Sequence, residues 1–185
     1  MIDFSLRTED QRVGALNMGL CPGVYAGKES RPSTLYVAES AFGFLEPSIR
    51  RHSPEYARGY SHWGVTEILR AEWQNIIQDW ERLRSNIAAA RTVQDVGRFC
   101  VMPKELEDEF KETFEVNKTG FLNLIDQLID WLRTKLSTHG QVSVIGIQGW
   151  RGDPISRVVC EKWAYHHRPI KQSRGPHLHP TSSVQ

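Results

Sequence analysis

The stretch Tyr60-Ser61-His62-Trp63-Gly64-Val65-Thr66-Glu67-Ile68, followed by a run to Arg91, decides the fold. Two periods meet in it. The segment His62 to Val65 has the aromatic and β-branched composition of a strand. From Leu69 onward, Leu69, Trp73, Ile76, Ile77, Trp80, Leu83 and Ile87 recur at spacings of three and four. That spacing places them on one side of a helix packed against a sheet. Arg70, Glu72, Asp79, Arg82 and Arg84 fall largely off the stripe, Thr66 is the candidate N-cap, and Ala88 to Ala90 extend the helix by propensity.

Downstream the pattern repeats. A second helical region opens after Pro103 with Phe110 and Phe114, and Asn117-Lys118-Thr119-Gly120 is expected to break or kink it. Phe121, Leu124, Ile125, Leu128, Ile129, Leu132 and Leu136 then form a strong apolar face, closed by His139-Gly140. Val142, Val144, Ile145 and Ile147 read as a buried strand, Gly149 to Pro154 as a turn and Ile155 to Tyr165 as a last strand.

Upstream the signals are shorter. Ile2, Phe4 and Leu6 alternate with polar neighbours like a half-buried strand, Leu35-Tyr36-Val37 has strand composition, and Glu39 to Arg51 suits a short helix despite Gly43 and Pro47. Ser53-Pro54 to Gly59 reads as a loop. The expectation is an α+β fold: a mostly-β N-terminal half, two long amphipathic helices and a returning sheet. Residues 1–165 form the single globular domain, and residues 166–185 a polar, basic and flexible tail.

Composition narrows the function. A chain of 185 residues is long enough to bury a substantial core, and its 39% hydrophobic and 24% charged residues are ordinary for a globular protein. The formal net charge of +1 is uneven, because the last twenty residues carry Arg168, Lys171 and Arg174 and no acid. Without them 20 bases face 22 acids, a balance that argues against nucleic acid as partner. The three cysteines, Cys21, Cys100 and Cys160, are too widely spaced for a disulfide framework or zinc knuckle. Met1-Ile2-Asp3-Phe4-Ser5 lacks the basic and apolar regions of a signal peptide, and no window is long and apolar enough to span a membrane. The expectation is a cytoplasmic protein without a membrane partner.

Signatures of chemistry are few. Gly23-Val24-Tyr25-Ala26-Gly27-Lys28-Glu29 falls one residue short of a phosphate loop and has Glu29 where a Ser or Thr would hold a metal. His166, His167, His177 and His179 lie near Cys160 but without the tight pairs of a structural zinc site. His62 and His139 are isolated, and no HExxH arrangement exists. Asp126 and Asp130 share a solvated helix face, with Arg133 able to pair with Asp130. Cys100 sits in Phe99-Cys100-Val101-Met102, an apolar setting that raises a thiol pKa. No metal, cofactor or catalytic residue is assigned.

The stretch from Lys104 to Glu115 is different, with the six acids Glu105, Glu107, Asp108, Glu109, Glu112 and Glu115 facing two bases. Acids suit a helix start, and they also suit docking to a basic partner, where complementary charge speeds association. Phe110 and Phe114 fit either a core or an interface anchor. Of the six tryptophans, Trp73 and Trp80 fit the core stripe, whereas Trp150 in the turn Gly149-Trp150-Arg151-Gly152 is a candidate contact.

The segment His62-Trp63-Gly64-Val65-Thr66-Glu67-Ile68, running into a helix that starts near Leu69, resembles small bacterial immunity proteins of contact-dependent and polymorphic toxin systems. In that family an aromatic-Gly-x-Thr/Ser-Glu-Ile strand leads into a helix with a Trp or Leu stripe. The resemblance covers residues 60–91 and implies a cytosolic protein that neutralises one cognate toxin without a cofactor. The near-neutral body and the basic tail depart from the family's usual acidity. The candidate partner surface is then Glu105, Glu107, Asp108, Glu109, Glu112, Glu115 and Trp150, facing a basic toxin domain. Two other readings stay open: a metal-dependent enzyme using His62 or the C-terminal histidines, and a structural or assembly protein.

Overall fold

The computed structural model describes residues 1–14, 16–26, 33–58, 63–102 and 104–147. All of them fall within one unit, Met1–Gly149. His62, Cys160, Trp150, the Gly149–Pro154 turn, the strand expected over 155–165, the 166–185 tail and residues 27–29 of the Gly23–Glu29 stretch lie outside the described residues.

The architecture is α+β, as the sequence predicts. Five antiparallel strands form one sheet: β1 (Leu6–Arg7), β2 (Asn17–Pro22), β3 (Leu35–Ala38), β4 (Val65–Leu69) and β5 (Gln141–Ile145), in the order β1-β3-β2-β5-β4. Register aligns Met18 with Val37, Leu20 with Val144 and Ile68 with Val142. All six are buried and belong to one core, because alternate residues of paired strands share a face.

Helices cover that face. Short α1 (Glu39–Phe42), α2 (Glu46–His52) and α3 (Pro54–Arg58) precede β4. The 20-residue α4 (Arg70–Ala89), short α5 (Val93–Gly97), α6 (Lys104–Glu112) and the 25-residue α7 (Phe114–Thr138) separate β4 from β5. Every stripe residue of α4 from Trp73 to Ile87 is buried, as is every residue of the α7 face named from Phe121 to Leu136. The Trp73 indole donates to the Val142 carbonyl at 3.0 Å and the Trp80 indole to the Leu45 carbonyl at 3.3 Å. One end of α4 is thereby tied to β5 and its middle to the start of α2.

Several local expectations change. Within the expected loop, residues 54–58 form α3, opened by Pro54 in the first turn, where a missing N–H leaves no intrahelical bond unmade. Leu69 is not part of the α4 stripe. It is 56% exposed and takes the N-cap position in place of Thr66, its N–H bonded to Glu72 Oε2 at 2.9 Å. Ile2 and Phe4 are buried without strand pairing, because they pack across α6 and α7. Arg133 bonds Glu81 of α4 at 2.5 Å rather than Asp130.

Asn117 and Gly120 do not break α7; the interruption falls at Thr113. Asn117 is fully buried and its amide donates to the Glu109 and Phe110 carbonyls, at 3.0 and 3.4 Å, satisfying groups that the end of α6 leaves open. Its Oδ1 accepts the Ile2 N–H at 3.3 Å. Gly120 lies against Phe4, where an added Cβ would come within 3.1 Å of the ring. The glycine lets Phe4 enter a cluster with Phe44, Phe110 and Phe121.

Candidate functional site

The acids of 105–115 do not form one patch. Glu105, Asp108 and Glu112 follow each other at i, i+3 and i+7 on α6 and are exposed along one face. Phe110 is fully buried, and Leu106 packs against the core. Glu107 lies on another flank and lines a cleft. Glu109 is half-buried and accepts from the α-ammonium of Met1. Glu115 is exposed on the first turn of α7 beside Val116, which is also exposed. Trp150 lies outside the described residues.

Unpaired acids are concentrated here, although exposed Asp10, Glu67 and Asp130 also lack a basic partner among the described residues. Asp3 pairs with Arg7, Glu46 with Arg50, Glu55 with Arg58, Glu81 with Arg133 and Asp126 with Arg84. Among the described residues, Glu105, Glu107, Asp108, Glu112 and Glu115 have no basic partner. Their carboxylates repel one another at helical spacing, so a cationic surface brought against them is attracted without having to displace an internal partner. Phe110 serves the core and is no anchor; Phe114 is partly buried edge-on to it at 6.0 Å.

Beside α6 lies the cleft, with a volume of about 650 Å³ and walls from α2, α4, α5 and the 98–102 segment. On one wall stands Asp79, which is buried rather than on a solvated face. Its Oδ2 accepts from Arg51 Nη1 at 2.5 Å and from His52 Nε2 at 2.8 Å, and its Oδ1 accepts from Arg82 Nη2 at 2.5 Å. Burial pushes the carboxyl up, but the hydrogen bonds from Arg82, His52 and Arg51 outweigh it and hold the group below the usual aspartate range. The sequence carried a partial signal for this, since Asp79 stands three residues from Ile76 and four from Leu83, at the stripe's margin. Arg51 and His52 come from a different helix and had none.

Cys100, also on the cleft wall, is 7% exposed, and burial pushes its thiol up to about 12. A thiol so shifted stays protonated and unreactive at neutral pH, as its apolar neighbours imply. Among the described residues no three His, Cys, Asp or Glu side chains converge as metal ligands, and no helix is long and apolar enough to cross a membrane. Comparison with protein families, curated proteins and solved structures finds no match to this chain.

Proposed function

We propose that the protein is a cytoplasmic protein-binding module, an immunity or antitoxin-like inhibitor that occludes the active surface of a cognate toxin. The observation that carries this reading is the face formed by Glu105, Asp108 and Glu112, three carboxylates exposed in register on one side of α6 with no basic partner among the described residues. Glu107 and Glu115 widen the negative field on either side. The matching partner is a basic protein surface. Exposed charge of this kind accelerates encounter more than it tightens the complex. The resemblance of residues 60–91 to immunity proteins supplies the kind of partner, and the acidic face supplies the means of meeting it.

The test is affinity capture from native host lysate with the wild-type chain and with Glu105→Lys/Asp108→Lys/Glu112→Lys side by side. A stoichiometric basic partner is expected with the wild type, lost or bound at least about tenfold more slowly by the triple variant, and weakened by added salt. A partner retained equally by both proteins would remove the acidic face from the interface.

A further inference from the structure

The cleft beside α6 has a chemistry opposite to that of the acidic face. Its polar lining consists mainly of donors: the guanidiniums of Arg51, Arg82 and Arg98 and the amides of Asn86 and Gln94. Two carboxylates face it, Asp79 and Glu107, and Asp79 is already engaged with three partners.

Asp79 holds two guanidiniums side by side while using one nitrogen of each. A guanidinium carries five N–H donors, so about four remain on each arginine. These side chains are 63% and 69% exposed, which leaves the free donors within reach of a ligand. The trio Arg51–Asp79–Arg82 has one more positive than negative charge, and its two like charges repel each other. A second anion on the side away from Asp79 relieves that repulsion, and bidentate geometry favours an oxyanion. Arg98 stands on the wall formed by α5 and the 98–102 segment; Asp95, its neighbour at 3.4 Å, is the acid that competes for it.

The same cleft has an apolar side. Phe99 is 46% exposed and Val101 69% exposed, and both line it. A volume of about 650 Å³ suits a small molecule better than a bare ion. We propose that the cleft formed by Arg51, Arg82, Arg98 and Phe99 binds a small molecule carrying an oxyanion, phosphate or carboxylate, on an apolar body. This site is independent of the protein-binding reading, because its charge is opposite and it uses none of Glu105, Asp108 and Glu112.

The test titrates the full chain with phenyl phosphate, benzoate and inorganic phosphate, followed by calorimetry and by chemical shifts of the arginine side chains. Phenyl phosphate or benzoate is expected to saturate a single site with Kd of about 1 mM or below, and more tightly than inorganic phosphate. Which of the two binds better assigns the head group. Arg51→Gln and Arg82→Gln should each weaken it about tenfold. Arg98→Gln, which leaves the Asp79 cluster intact, gives a readout even where the other two variants lose stability, and should weaken binding about threefold. Glu107→Gln, which removes the opposing charge at the rim, should tighten it about twofold. Phe99→Ser should abolish the preference for the aromatic ligands. Absence of saturation, or equal binding by the wild type and the three arginine variants, would reduce the cluster to a staple between α2 and α4. Equal affinity for phenyl and inorganic phosphate would overturn the apolar half of the proposal.

Discussion

Asn117 and Gly120 are poor helix formers placed inside the longest helix, and each earns its position through a tertiary contact rather than a local one. Replacing Asn117 by Ala would improve helix propensity but leave the Glu109 and Phe110 carbonyls without the amide that caps them. The expected result is a loss of about 3 kcal/mol, seen as a lower denaturant midpoint at unchanged slope. Gly120→Ala tests the same principle sterically. The roughly 1 kcal/mol that alanine offers a helix is opposed by the Phe4 ring, which must shift within a packed aromatic cluster. Gly97 is the control, with nothing within 4 Å of an added Cβ. Thermal melts should show Gly97→Ala unchanged or more stable and Gly120→Ala less stable; equal gains in both would show that Phe4 is not confined.

Helix α6 packs through Phe110, its one fully buried side chain, and carries charge over much of its remaining surface. Glu105 lies in the first turn, where a carboxylate complements the helix dipole, whereas Glu112 ends the helix, where it opposes the dipole. Neutralising the two should therefore act in opposite directions. Glu105→Gln is expected to lower stability and Glu112→Gln to raise it, each by a few tenths of a kcal/mol, measurable as shifts in denaturant midpoint at low salt and reduced at high salt. Shifts of the same sign would place the dominant interaction outside the helix. These effects are small beside an expected loss of partner association, so the Glu105→Lys/Asp108→Lys/Glu112→Lys variant separates recognition from folding.

The whole fold carries a predictable response to acid through Asp79. Its folded pKa is depressed, so in acid the unfolded chain binds more protons than the native one, and stability rises with pH through that window. The contribution is fully present above the ordinary aspartate range, roughly pH 4, and is lost as pH falls below it. Asp3 adds in the same sense: burial pushes it up, yet the hydrogen bonds from Ser5 and the pairing with Arg7 hold it down. Asp79→Asn should be less stable than wild type at pH 7 by about 2 kcal/mol, because a buried charged acceptor is lost to two arginines and a histidine. Between about pH 5 and pH 2 its denaturation midpoint should fall less steeply than that of the wild type. Parallel acid profiles would mean that Asp79 does not control this transition.

What was legible in the sequence was local. The apolar stripes of α4 and α7 follow from a period of 3.6, because a helix that buries one side must repeat apolar residues at its own pitch, and the short apolar run of β5 follows from a strand buried on both sides. Cys100 could be read as inert because its apolar neighbours are adjacent in the chain. The acidity of 105–115 was equally plain, but its division between an exposed face, the cleft rim and a contact with Met1 was not, since that depends on what each flank of α6 packs against. The cleft joins Arg51, Asp79, Arg82, Arg98 and Glu107 from three helices and a connecting segment, and no local period records such a meeting. Asp79 looked like a surface residue until α2 brought Arg51 and His52 to it. The sequence alone therefore determined the long helices α4 and α7, the strand β5 and which side of each helix turns inward, because those follow from neighbours along the chain. Tertiary packing alone decided which charges are buried, matched or left facing water, because a charge is settled by whatever distant residue the fold sets beside it.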